Sequence, residues 1–96
     1  MIDRSRELFI GIKITKDLQN ELDNPAPGTR HYFEGTDRNE FLQVMDAGDE
    51  KYIGRILQGG IPAADIGDAS RNVCSIVRLI TKGRRIDDRD VKIFSF

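Results

Sequence analysis

The sequence predicts an α+β domain, a four-stranded antiparallel sheet with two helices on one of its faces. Three observations carry that expectation. Apolar residues alternate with period two in residues 8–14 and again in 90–96, the pattern of half-buried strands. Val73, Ile76, Val77 and Ile80 recur at i, i+3, i+4 and i+7, the pattern of an amphipathic helix. Between these segments, two strand-like runs flank a short Gly-bearing turn, which reads as a hairpin.

Taken in chain order, Leu8, Ile10, Ile12 and Ile14 place four aliphatics on one side of the first strand, with Phe9, Gly11 and Lys13 on the other. Thr15 is placed to cap a short helix from Lys16 to about Asp23, with Leu18 and Leu22 as its buried stripe. Two anchors hold such a helix only against a sheet. Asn24-Pro25-Ala26-Pro27-Gly28 stops it, because residues before proline avoid the α region and proline has no amide donor. Arg30 to Glu34 reads either as an extra strand or as part of a long loop. The hairpin follows, from Glu40 to Met45 and Lys51 to Leu57, turning through residues 46–50 and ending at Gly59-Gly60-Ile61-Pro62. The second helix is expected over residues 69–81, with Asp68 as N-cap and Gly83 at C′; Lys82, Arg84 and Arg85 suit the negative end of its dipole. Val91 and Ile93 face one way along the last strand, and Lys92, Phe94 and Phe96 the other.

The order is βαββαβ. Two βαβ-like halves around a central hairpin most economically give a split-βαβ, ferredoxin-like arrangement, folded as a single domain over residues 1–96. The rival, a small all-β barrel, requires residues 69–81 to be extended against their helical period.

Composition narrows the function classes. Hydrophobic residues at 39% and charged residues at 32% fit a folded chain, not a disordered one. Cys74 is the single cysteine, so no intramolecular disulfide forms, and with His31 as the single histidine no structural zinc site is expected. No cofactor is expected either. The apolar run near the N-terminus is broken by Lys13, too soon for a signal peptide or a membrane span, so a cytoplasmic protein is expected. The net charge is −1, but unevenly spread: residues 1–50 carry 11 acids against 6 bases, residues 51–96 carry 5 acids against 9 bases. Such a partition allows self-complementary association.

The strand pattern itself supplies the candidate binding surface. If the aliphatic sides of the first and last strands meet the helices, Phe9, Phe94 and Phe96 lie together on the open face. An open apolar patch of that kind marks an interaction surface. Its expected partner is a second copy or another protein; closure by the chain itself is the competing outcome. Base stacking by the same rings is disfavoured by the near-neutral charge. A second candidate is a basic cluster, Arg78, Lys82, Arg84 and Arg85, with Arg89 and Lys92 nearby, suited to an anion, a nucleic acid or an acidic partner. Asp65 and Asp68 argue against a phosphate cradle beside Gly67, and Gly59, Gly60 and Gly67 read as turn residues. His31 as a general base, with Cys74 as a nucleophile, is the enzyme alternative, though no triad or paired-carboxylate pattern accompanies them.

Residues 8–12 followed by 18–22 resemble the opening strand and helix of 2′,5′ RNA ligase-type phosphoesterases. Those enzymes carry His-x-Thr/Ser motifs, whereas His31 is followed by Tyr32 and Phe33, so that activity is not expected. The sequence reading is therefore an interaction module that is not an enzyme, associating with itself, with another protein or with a small ligand through the open sheet face.

Overall fold

Aliphatic spacing builds the architecture. The computed structural model describes residues 7–34, 41–58 and 62–95. Strand β1 spans Glu7–Lys13, and its Ile10 and Ile12 are buried against the helices. Helix α1 spans Lys16–Asp23, and the Thr15 side chain caps it by accepting from the Leu18 backbone N–H at 3.2 Å. After a short helix α2, His31–Glu34, come β2, Gln43–Ala47, and β3, Glu50–Gln58. Helix α3 spans Ala63–Ile80, a 3₁₀ turn covers Asp88–Asp90, and β4 runs Val91–Ser95.

The four strands form one open sheet in the order β2-β3-β1-β4, and every neighbouring pair is antiparallel. The register pairs Phe9 with Ile56 and Phe94, Gly11 with Gly54 and Lys92, and Ile10 with Arg55 and Ile93. The core is a single cluster that joins Ile10, Ile12 and Ile53 of the sheet to Leu18 of α1 and to Val73, Ile76, Val77 and Ile80 of α3. Both long helices therefore pack on the same side of the sheet. Side chains opposite in register share a face, so Phe9, Gly11, Tyr52, Gly54, Lys92 and Phe94 occupy the other side, called here the back face.

Four local expectations are corrected. Residues 30–34 are not a strand. Tyr32 N–H and Phe33 N–H donate to the carbonyls of Thr29 and Arg30, making a helical turn that sets both rings against the core, and Tyr32 O then accepts from Leu42 N–H at 2.6 Å. The hairpin turn is tighter than residues 46–50: only Gly48 and Asp49 separate the strands, and Gly48 alone has a positive φ, 65°, as a type II′ turn requires. Helix α3 begins six residues before position 69, directly after Pro62. Asp68 is thus not its cap but an interior residue paired with Arg71, and Gly67 lies inside the helix instead of in a turn. At the other end Lys82, not Gly83, takes the left-handed C′ position, with φ 60°. Lys82 N–H donates to Leu79 O and Gly83 N–H to Arg78 O, the paired bonds of a Schellman motif. Gly59, Gly60 and Glu40 lie outside the described residues.

Candidate functional site

Two places in the fold gather the residues that carry chemistry. The first is the back face. Tyr52 stands at its centre, with the Phe94 ring edge-on at 4.9 Å; Phe94 lies 6.4 Å from Phe9. The Tyr52 hydroxyl donates to Glu50 Oε2 at 2.5 Å, and Lys13 pairs with Glu50 Oε1 at 3.1 Å. Those two partners hold the Glu50 carboxyl below its ordinary range, the tyrosine hydrogen bond contributing most. Lys92 extends over the Tyr52 ring, 5.7 Å from its centroid. The back face is thus an aromatic cluster bordered by charges of both signs.

One ring expected to lie open does not. Phe9 is on the predicted face but only 2% exposed. Gly11 leaves the room for this: a Cβ there would meet Phe9 Cε1 at 2.5 Å, so the ring lies down over the glycine instead of projecting from the sheet. Phe94 is half-buried and is the ring of this pair that remains partly open; Phe96 lies outside the described residues.

The second place is a groove between α3 and β4, on the helix side. Its cavity measures about 750 Å³. Arg71, Cys74, Ser75 and Arg78 line one wall, spaced i, i+3, i+4 and i+7 on one face of α3. Arg85, Ile86, Asp88, Val91 and Ile93 line the other. Ile93 is 51% exposed although its register partner is the buried Ile10 on the helix side; β4 is an edge strand of the sheet. Burial and the nearby Asp88 push the Cys74 thiol up from its ordinary value, so it is protonated at neutral pH.

The groove divides the predicted basic cluster. Arg78 and Arg85 line it, and neither forms an ion pair among the described residues. Arg84 turns away and bonds Glu21 of α1 at 2.9 Å. Lys82 is exposed at the helix terminus and does not line the groove. His31 is exposed on α2, stacked at 4.1 Å on Tyr32, and is not part of the groove that holds Cys74. The enzyme alternative loses its pairing of these two side chains. Among the described residues no three His, Cys, Asp or Glu side chains are grouped to hold a metal ion, and no helix is long and apolar enough to cross a membrane.

No family model, curated protein or solved structure matches this chain.

Two of the site residues escape the sequence reading. Arg71 sits outside the 78–85 run that draws attention, yet it shares a helical face with Arg78, and that spacing is visible in the sequence. Tyr52 is the back-face neighbour of Phe94 through β1, and the signal for it is parity: if Ile53 is buried under the helices, Tyr52 must point the other way.

Proposed function

We propose that this chain is a ferredoxin-like interaction module, not an enzyme, that pairs with a second copy of itself through the back face of its sheet. The observation that carries the reading is that α1 and α3 both pack on one side, leaving Phe94, Met45 and Ile56, all half-buried, on a side that no helix among the described residues covers. The mixed charges of that face suit a two-fold pair, in which Lys92 of one copy can meet Glu50 of the other. The strand order and the two helical crossovers, β1-α1-β2 and β3-α3-β4, support the ferredoxin-like assignment. An unpaired, half-buried thiol fits a reducing, cytoplasmic setting.

The test is a sedimentation series reaching about 200 μM, a range suited to a micromolar dimer. Wild type is expected to pass from monomer to dimer, while Phe94→Ser stays monomeric with an unchanged far-UV circular dichroism spectrum. A wild type that is monomeric throughout overturns the reading, as does a dimer that Phe94→Ser leaves intact.

A further inference from the structure

Independently of the back face, we propose that the groove between α3 and β4 binds a small organic anion with an apolar body, such as a phosphate monoester or carboxylate on a ring. Three features of the groove converge on that ligand class.

The first is size and lining. A cavity of about 750 Å³ falls in the range of small-molecule sites, roughly 300–1,000 Å³. Its apolar surface comes from both walls, Cys74 on one and Ile86, Val91 and Ile93 on the other. Ile93 leaves half its surface uncovered there, an unfavourable exposure that a ring or short chain in the groove relieves.

The second is charge. Most other described arginines of this half of the chain have a partner: Arg55 bonds Asn72, Arg71 bonds Asp68, Arg84 bonds Glu21 and Arg89 bonds Asp87. Among the described residues neither Arg78 nor Arg85 forms a side-chain hydrogen bond or ion pair, Arg85 being only near enough to Asp87 to help hold its carboxyl down, and both line the groove. Two guanidinium forks not hydrogen-bonded to any described side chain, beside one apolar cavity, suit a carboxylate or phosphate, which each fork can grip with two hydrogen bonds.

The third is the one acid in the lining. Asp88 is close enough to Cys74 to influence its titration. It disfavours a second anionic group beside it, so the ligand carries one anionic head for Arg78 and Arg85 and presents a neutral or hydrogen-bond-donating group toward Asp88. Charge at one end and apolar bulk in the middle is what sets this ligand class apart from free inorganic phosphate.

Cys74 makes the proposal testable, because it is the single cysteine of the chain and lies inside the groove. The experiment follows its alkylation by iodoacetamide at mildly alkaline pH, with phenyl phosphate, inorganic phosphate or phenol each at about 10 mM, a concentration able to reveal millimolar binding. Phenyl phosphate is expected to slow alkylation at least about tenfold, and the other two probes to do so much less. Arg78→Gln and Arg85→Gln each abolish the protection. Ile93→Ser weakens protection by phenyl phosphate; it is an exposed position, so folding is retained, and circular dichroism checks this. Phe94→Ser retains full protection, so failure of the back-face dimer and failure of the groove are separable. Equal alkylation rates with and without phenyl phosphate overturn the proposal. So does equal protection by inorganic phosphate, which makes the groove an anion site with no apolar half, and so does protection that survives both arginine substitutions.

Discussion

Gly54 is the residue on which the sheet turns most sharply into a requirement. It pairs with Gly11 across β1 and β3, and a Cβ at Gly54 would overlap the carbonyl oxygen of Ile10 and lie 2.7 Å from the Gly11 Cα. Those atoms are backbone in the middle of the sheet and cannot swing aside. Gly54→Ala is expected to destabilise the chain by about 3 kcal/mol, as strong overpacking does. Gly11→Ala meets the Phe9 ring edge, which can shift at the expense of the aromatic cluster, and the Tyr52 Cβ at 2.8 Å, which is tied to β3, but no backbone atom as close as at Gly54. It should cost less, about 1–2 kcal/mol. Urea midpoints of the two variants check the order; a milder Gly54→Ala contradicts the close approach of the strands.

At the scale of elements, α3 ends on a residue poorly suited to its backbone. Lys82 holds φ at 60°, where a Cβ crowds the neighbouring carbonyl, and its side chain forms no hydrogen bond or ion pair among the described residues. Lys82→Gly is expected to raise stability by about 1 kcal/mol, read as an upward shift of the urea midpoint; a fall contradicts the Schellman geometry. The same helix shows how much of the fold was legible. Its C-terminal half announces itself through Val73, Ile76, Val77 and Ile80, all buried. Its first turn and a half hides behind Asp68 and Gly67, which look like a cap and a breaker. The apolar stripe nonetheless continues through Ala69 to Ile66, both packed on the core. Helix α1 was legible to the residue, because Thr15 and Pro25 bracket it chemically. Helix α2 was not: in Arg30 to Glu34 the aromatic run suits a strand, and only the docking of Tyr32 and Phe33 against the core decides for a helical turn. For the candidate sites, parity placed Phe9 and Phe94 on one face, but burial of Phe9 depends on the empty space above Gly11, which no single-strand pattern reveals.

For the molecule as a whole, acid sensitivity should be traceable to named carboxylates. The Arg89 side chain, and then its backbone N–H, hold the Asp87 carboxyl at about 2, below its ordinary 3.8. Because the folded value is the lower one, ionised Asp87 favours the folded chain above about pH 4, and that contribution is lost as pH falls toward 2. Glu50, lowered by Tyr52 and Lys13, acts in the same direction. Urea titrations at stepped pH are expected to show stability declining across this window, with a shallower decline in Asp87→Asn; identical slopes contradict the assignment. The acidic and basic halves of the chain meet directly where Arg84 bonds Glu21, so part of the charge partition is used within one molecule. The sheet, finally, is long in the middle and short at its margins: β3 and β1 run nine and seven residues, β2 and β4 five each. A stranger lying alongside either margin gains only a few ladder bonds before it runs out of template. Short margins of this kind limit how far an edge-to-edge ribbon of such molecules could lengthen.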